Sequence, residues 1–296
     1  MKKLLSLFLC LCLALTCVSA LADVTVTDMT GREVTIEGDV TRVVALTAAD
    51  VEILYAIGAG DLLVGRGAYC DYPAEALEVT GVQSGYETNI EEIIALQPQV
   101  LVMSTMAQTE EQVQQLEAAG IRVIVSDAQD IAGVYTAITL LGDVTGHADE
   151  AAALVASMQE TFARYTAAEK SGKTVYFEIS PLQWGLWTAG SGTFMNELAD
   201  MVGIDNVFAD VTSWASVSEE QVIARDPSMI ITTTTDYGTE PSPVAEILGR
   251  AGWEQLSAVV NGQVFQADND SITRPGPRLA DAAAWLYGLV WGTDAE

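Results

Sequence analysis

The sequence predicts an α/β fold with two Rossmann-like lobes, each built on a parallel sheet, that are joined by a single long rigid helix. Three observations predict this arrangement. Short, continuous apolar runs alternate with helical segments in both halves of the 296-residue chain, as expected for parallel strands covered on both faces. A long helical segment without Gly or Pro separates the halves. One segment of the first half also recurs in the second.

The first 22 residues have the pattern of a secretory signal peptide and are excluded from the fold. Two lysines precede an apolar run from Leu4 to Leu15, and Ala-Leu-Ala at 20–22 forms a cleavage site. The run is too short to span a bilayer comfortably, so we predict an exported protein, periplasmic or extracellular. Cys17 is a candidate lipidation site. Because the residues just before it fit a lipobox poorly, free secretion is preferred to a lipid anchor.

The N-terminal lobe is predicted over 23–147. It begins with a hairpin at 24–36, where apolar and polar residues alternate around a turn. Apolar runs then predict buried strands at 42–47, 62–69, 100–105 and 122–127. Helices are predicted between them at 49–58, 89–97 and 109–120, and glycines end the first and the last.

Residues 148–170 are predicted to form the helix between the lobes. One apolar face at helical spacing consists of Leu154, Met158, Phe162 and Tyr165. At 1.5 Å per residue this helix would be roughly 35 Å long. A flexible linker would be rich in Gly and Ser instead. We therefore expect the lobes to be held around a fixed cleft.

The C-terminal lobe is predicted over 171–296 and repeats the α/β alternation. Its strands are predicted at 174–180, 229–235 and 263–268. Its helices are predicted at 193–203, 218–226, 243–251 and 278–290.

A fourteen-residue segment occurs once in each lobe, at an offset of 129 residues. The first copy, NIEEIIALQPQVLV, begins at Asn89, and the second, SEEQVIARDPSMII, begins at Ser218. In each copy the first residue is a helix cap, and Glu92 or Gln221 stands three places on, which predicts a capping box. A proline ends each short helix just before a strand.

Glu91 and Glu220 occupy the same place in the two copies and have no capping role. At the second helical position each is expected to be exposed and favourable to the helix dipole. Taken singly, each is an ordinary first-turn acid. As a matched pair, one per lobe, they suggest two points of contact with something that spans both lobes.

Composition excludes several classes of function. A net charge of −28 at pH 7 repels nucleic acid and anionic lipid. Beyond the signal peptide only one Cys and one His remain, Cys70 and His147, so an internal disulfide, a CxxC pair and a His-cluster zinc site are excluded. A catalytic triad would have to use His147, at the start of a helical segment and without partners nearby. We predict a protein without catalytic residues, resident metal or cofactor.

The mature chain resembles the substrate-binding proteins of ABC importers for cobalamin, ferric siderophores and haem. The resemblance rests on the order of several segments: the two capped helices, AYCDYPAEA at 68–76, TAGSGTFMNELADMVGIDNVF at 188–208, AGWEQLSAVVNGQVFQAD at 251–268 and SITRPGPRLADA at 271–282. It implies a periplasmic-binding-protein fold with ligand in the cleft between the lobes. The implied partners are a membrane permease dimer and its ATPase, and we expect a monomer.

The resemblance also implies roles for particular residues. Glu91 and Glu220 fall at the positions where a surface glutamate on each lobe docks with permease arginines. Tyr69, Trp214, Asp270 and Arg274 match the residue types of the cobalamin-binding members. The ligand-binding residues expected are Tyr69, Tyr86, Ser104, Trp187, Trp214, Asp270 and Arg274.

The chain departs from the cobalamin-binding members at two of these positions. Gly85-Tyr86 and Ser104 stand where those members carry tryptophans, which weakens the case for a corrinoid. Aromatic residues near strand ends fit a ligand cleft, because ligands bind at the carboxyl ends of parallel strands. For Trp184, Trp253 and Trp285 we predict core packing instead.

The sequence therefore predicts a binding component for uptake of a metal-organic complex that contains cobalt or iron, with a corrinoid preferred to a ferric siderophore. Haem is disfavoured because no His is placed for its iron. An enzyme on the same fold, such as a chelatase, would require a His or a carboxylate cluster in the cleft. A surface adhesion module would need neither paired docking glutamates nor an aromatic cleft.

Overall fold

A computed structural model describes residues 23–85, 88–105, 109–236, 238 and 240–292. The predicted signal peptide, with Cys17, lies outside these residues. None of the described helices is both long and apolar enough to span a membrane. The predicted α/β fold of two lobes with parallel sheets is confirmed.

The N-terminal lobe opens with the predicted hairpin. Strands β1 (Val24–Thr27) and β2 (Glu33–Ile36) pair antiparallel, with Val24 opposite Ile36. Asp28 fixes the turn, because its carboxylate accepts hydrogen bonds from the backbone of Thr30 and Arg32 and forms an ion pair with Arg32 at 2.8 Å.

A five-stranded parallel sheet forms the centre of this lobe. Its strands are β3 (Val43–Ala45), β4 (Leu63–Gly67), β5 (Gly81–Val82), β6 (Val100–Met103) and β7 (Arg122–Val125). They lie in the order β5-β4-β3-β6-β7. The chain therefore leaves β3 first to one side and then to the other. The loops that follow β3 and β6 diverge at this point, where α/β sheets characteristically bind ligands.

Within the described part of this lobe, four α-helices accompany the sheet: α1 (Ala48–Ala56), α2 (Ile90–Ala95), α3 (Glu110–Ala118) and α4 (Ile131–Thr145). Helix α4, the longest of the four, was not predicted from the sequence. Its local signals are nevertheless present. The side chain of Asp130 caps its first turn, and Gly146 ends it in the left-handed conformation at φ 75°.

The C-terminal lobe contains a four-stranded parallel sheet and a separate two-stranded ribbon. The sheet has the order β10 (Asp205–Asn206), β8 (Thr174–Glu178), β12 (Met229–Thr232) and β13 (Val264–Gln266). The ribbon pairs β9 (Trp187–Ala189) antiparallel with β11 (Trp214–Ser216) and was not anticipated from the sequence. The helices of this lobe are α6 (Phe194–Met201), α7 (Glu219–Arg225), α8 (Pro243–Leu248), α9 (Ser257–Val260), α10 (Asn269–Thr273) and α11 (Leu279–Trp291).

Helix α5 (Ala148–Arg164) connects the lobes but is shorter than predicted. It has 17 residues and not the 23 of 148–170, which gives a length of about 25 Å. The reason is tertiary. The N–H groups of Ala167 and Ser171 donate to the carbonyls of Met201 and Gly203, both at 2.8 Å, so this part of the chain follows the end of α6 and does not continue as a helix.

The lobes share one hydrophobic core. It includes Leu141 of α4, Met158 of α5, Met195 of α6 and Leu286 of α11, all buried. Helix α5 therefore packs against both lobes, and any relative movement of the lobes would have to disturb close-packed side chains.

Candidate ligand-binding cleft and docking surface

A cavity of about 520 Å³ lies between the two lobes. Its N-terminal wall is formed where β3, β6 and β7 end, and its C-terminal wall by α6, β11 and the segment after α10. The lining residues are Thr47, Ala48, Ala49, Asp50, Ser104, Thr105, Ser126, Asp127, Ala128, Gln129, Ile179, Phe194, Trp214, Thr273, Arg274 and Pro275.

Asp50 is a buried carboxylate of the N-terminal wall. It lies in the first turn of α1, whose cap is Thr47, and only 2% of it is exposed. Burial raises its pKa to about 6, and the neighbouring charge of Asp127 acts in the same direction. Hydrogen bonds from Ser126 and Thr47 oppose the rise. A carboxylate held in a cavity at such a cost is a candidate functional group.

Trp214 forms an aromatic part of the C-terminal wall. Its ring meets that of Phe194 edge-on, with centroids 5.3 Å apart. Its indole N–H donates across the cleft to Gln129 Oε1 at 3.4 Å. Gly190 makes this placement possible, since a Cβ there would lie 2.1 Å from the carbonyl oxygen of Val211. Trp214 is partly buried and packs against the hydrophobic core.

Arg274 is engaged by three carboxylates at one end of the cavity. Its guanidinium lies 2.9 Å from Glu52, 3.0 Å from Asp71 and 2.8 Å from Asp270. Glu52 lies on α1 and also pairs with Arg278, at 2.7 Å. The side chain of Glu52 is 2% exposed and those of Arg274 and Arg278 are 16% exposed, so the ion pairs of Glu52 form a largely buried connection between the lobes.

Sequence reasoning missed Glu52 and Arg278. A signal for Glu52 was available, because it is an acid inside the apolar run Val51–Leu54 of a helix that faces the core. Such an acid is seldom buried unless it is paired. The signal for Arg278 was its place as the last residue of the RPGPR segment. Its guanidinium also stacks on the ring of Tyr72, with Cζ 4.1 Å from the ring centroid.

Of the predicted ligand residues that the structure describes, three line the cavity and three do not. Ser104, Trp214 and Arg274 line the cavity, whereas Tyr69, Trp187 and Asp270 do not. Tyr69 follows β4 and is 76% exposed, and Trp187 begins β9 and is 44% exposed. Asp270 contacts Arg274. Tyr86 lies outside the described residues. Contact with ligand remains a prediction for all seven.

The prediction of core packing is wrong for Trp184. It ends a 3₁₀ turn, Leu182–Trp184, and is 74% exposed, because the left-handed Gly185 redirects the chain directly after it. Trp253 is fully buried, as predicted, and Trp285 is partly buried against the core.

The repeated segments form two matched helices, α2 and α7. Both are followed by a residue with a left-handed backbone immediately before a proline, Gln97 at φ 49° and Asp226 at φ 41°. The predicted capping box is complete at Ser218 and Gln221 but only half formed at Asn89 and Glu92. The backbone N–H of Asn89 already donates to Gln83 O at 2.9 Å, so it does not need the Glu92 side chain.

Glu91 and Glu220 are both exposed, as predicted. A hydrogen bond with Ser218 lowers the pKa of Glu220. One turn further along each helix lies an isoleucine that is unusually exposed, Ile94 at 39% and Ile223 at 41%. Residues three apart share a helix face. Each lobe therefore presents an acid and an apolar side chain side by side, a surface that we call the Glu-Ile pair.

A third helix with a similar start lacks this pair. Helix α3 begins TEEQV, against SEEQV in α7, and Thr109 and Gln112 form a complete capping box. Glu111 occupies the same helical position as Glu91 and Glu220. Three residues later, however, α3 has Gln114 where α2 and α7 have an isoleucine. The acid at the second helical position is thus common to three helices, and the exposed isoleucine is present in two.

Comparison with known proteins identifies the family. The family model described as "Periplasmic binding protein" matches residues 43–271, most of the chain. The chain belongs to this family.

Among the described residues, no three His, Cys, Asp or Glu side chains are grouped to hold a metal ion.

The proteins that this chain is similar to are described as binding proteins. The uncharacterized ABC transporter substrate-binding lipoprotein YvrC of Bacillus subtilis (strain 168) is 33% identical over 276 residues, which cover 90% of this chain and 85% of YvrC. The crystal structure of the periplasmic vitamin B12 binding protein BtuF of Vibrio cholerae is 26% identical with a TM-score of 0.70, covering 85% of this chain and 96% of that one. A possible iron-binding (periplasmic solute-binding) protein from Staphylococcus epidermidis ATCC 12228 is 26% identical with a TM-score of 0.72, covering 86% and 99%.

Proposed function

We propose that this protein is the substrate-binding component of an ABC importer. It captures a metal-organic complex in the cavity between its lobes and delivers it to a permease dimer served by an ATPase. The observation that carries the proposal is the cavity between the two lobes of a periplasmic-binding-protein fold, together with a Glu-Ile pair on each lobe. Export to the outer face of the cytoplasmic membrane belongs to this function.

The ligand proposed is a corrinoid in preference to a ferric siderophore. The likeness to the Vibrio cholerae vitamin B12 binding protein supports a corrinoid, and the likeness to the Staphylococcus epidermidis protein supports an iron complex. Trp214 and Phe194 supply an apolar wall for either ligand. The polar residues around them supply hydrogen bonds that fix its orientation.

An enzyme of the chelatase type is a second candidate, and one observation favours it. Such an enzyme needs a proton acceptor beside its substrate, and Asp50 and Asp127 place two carboxylates in the cavity. Against it stand the named relatives, which are binding proteins.

The test is the absorbance spectrum of protein purified from cells grown with both cobalamin and ferric siderophores. A corrinoid or siderophore spectrum that remains with the protein through purification is expected. Calorimetry with the isolated compounds then gives the affinity. Failure to bind any metal-organic complex, or catalytic insertion of iron into an added porphyrin, would overturn the proposed function.

A further inference from the structure

The two walls of the cavity differ in charge. On the N-terminal wall, the described lining residues include two carboxylates, Asp50 and Asp127, and no basic side chain. On the C-terminal wall they include one basic side chain, that of Arg274, and no acid. The remaining polar side-chain groups of the lining are neutral: hydroxyls, one amide and the indole N–H of Trp214.

The positive charge of Arg274 is already compensated. Both of its terminal nitrogens are engaged, one by Glu52 and the other by Asp71 and Asp270. Its side chain is 16% exposed, so only a small part of it faces the cavity. A guanidinium in contact with three carboxylates offers little attraction to a further anion.

The carboxylates of the N-terminal wall keep capacity for a ligand. Asp50 accepts hydrogen bonds from Thr47 and Ser126, and Asp127 accepts from Thr105 and from Gln129 Nε2 at 3.2 Å. An ionised carboxylate has about four acceptor sites on its two oxygens. Each side chain can therefore accept a further hydrogen bond, and neither can donate one while ionised.

We propose that Asp50 and Asp127 make the cavity selective for neutral or cationic metal complexes that present N–H or O–H donors, and that they exclude complexes with net negative charge. This inference rests on the proposed function and narrows its substrate class. Cobalamin, with peripheral carboxamides, and the cationic iron trihydroxamates fit the requirement. Iron triscatecholates and haem, whose propionates are ionised at neutral pH, do not fit.

The test is calorimetry at neutral pH with four probes: cyanocobalamin, the cationic iron trihydroxamate ferrioxamine B, an iron triscatecholate and haem. Wild-type protein is expected to bind cyanocobalamin or ferrioxamine B, which separates the two sources of donor chemistry, and to bind the two anionic probes at least a hundredfold more weakly. Tighter binding of an anionic probe would overturn the charge inference while leaving the proposed function in place. Binding of no probe would instead count against the proposed function.

The variants Asp50→Asn and Asp127→Asn test the residues themselves. Loss of a hydrogen bond to a charged acceptor should weaken binding of the preferred probe about tenfold to a hundredfold in each variant. Binding of the anionic probes should strengthen. Asp143→Asn, which removes an exposed acid from α4, is the control of equal charge and should bind as wild type does. Because Asp127 is only partly buried, its variant keeps the test valid if Asp50→Asn folds poorly. Unchanged affinities in both cavity variants would contradict the inference.

Discussion

At the scale of single residues, burial of the acid Asp50 lowers the stability of the folded protein at neutral pH. Its carboxyl is removed from water, and its pKa therefore rises from 3.8 to about 6. The protonated form is favoured in the folded state. The stability that this gives is fully present below pH 3.8 and is lost as the pH rises through about 6. At neutral pH the native state carries the cost of a desolvated charge.

Asp50→Asn should therefore stabilise the protein at neutral pH. A rise in pKa from 3.8 to about 6 corresponds to roughly 3 kcal/mol of free energy of unfolding, which is the upper limit of the gain. Little gain is expected near pH 4, where Asp50 is protonated in the folded protein. Urea unfolding at both pH values measures the difference. An equal effect of the substitution at the two pH values would show that charge is not the cause.

Cys70, which lies nearby, stays protonated in this range, because burial and the charge of Asp50 raise its pKa to about 12.

Trp214→Ala should weaken ligand binding by about one to two decades. Loss of one buried aromatic face corresponds to about 1.5–3 kcal/mol. Trp214→Phe keeps the contact with Phe194 but loses the hydrogen bond to Gln129. Its ligand affinity should therefore lie between those of the wild type and Trp214→Ala. Trp184→Ala removes an exposed tryptophan outside the cavity and is the matched control. Calorimetry with the ligand retained on purification measures all three. Wild-type affinity in Trp214→Ala would rule out this wall as a binding surface.

At the scale of elements, substitutions in helices α2 and α7 test whether the repeated segments dock with a permease. In the proposed function each glutamate makes one charge-assisted contact with the permease, so Glu91→Ala and Glu220→Ala should each reduce transport. Their effects should add, since the two helices lie on different lobes, and the double variant should transport almost nothing. Ligand affinity should not change. Uptake in cells and calorimetry in solution separate the two properties.

The matched control is Glu111→Ala. It removes an exposed acid from the same position of α3, whose capping box is as complete as that of α7. Normal transport is expected. If the Glu91, Glu220 double variant also transports normally, the repeat is only a common way to begin a helix.

The isoleucines of the two Glu-Ile pairs give an independent prediction for the same elements. Ile94→Gln and Ile223→Gln copy the polar residue that α3 carries at this position. Both side chains are about two-fifths exposed, so the free energy of unfolding should change by less than about 1 kcal/mol. In the proposed function the two isoleucines add apolar contact with the permease, so transport should fall severalfold in the double variant. Unchanged uptake with unchanged stability would restrict docking to the glutamates.

At the scale of the whole molecule, the connection between the lobes predicts small movements. Helix α5 packs against both lobes, and the lobes share a core. Glu52 pairs with Arg274 and Arg278 across the interface. The backbone N–H of Ile131 donates a hydrogen bond to Glu197 Oε2 at 2.7 Å, which adds a further connection at the start of α4.

Ligand binding should therefore change the radius of gyration very little. Small-angle scattering of free and loaded protein measures this. A large decrease on loading would contradict the stiffness attributed to α5. Glu52→Gln is the informative variant, because it weakens the ion pairs between the lobes and should increase whatever movement the wild type has.

The sequence by itself determined those features that depend on neighbours within one or two turns of chain. The alternation of apolar runs predicted the β3, β4, β6 and β7 strands and the opening hairpin. The cap of α7 followed from the spacing of Ser218 and Gln221. The exposure of Glu91 and Glu220 followed from their place in a first turn. These outcomes are local because backbone periodicity and capping act over a few residues.

The tertiary structure decided what depends on segments far apart in the chain. Helix α5 ends at Arg164 because the following backbone bonds to Met201 and Gly203. Asn89 forms half a capping box because Gln83 takes its N–H. Glu52 finds its partners more than two hundred residues away, at Arg274 and Arg278. The cavity joins such distant segments, and its carboxylates could not be placed until the fold brought them together, because hydrogen bonding and burial between lobes leave no periodic trace in the sequence.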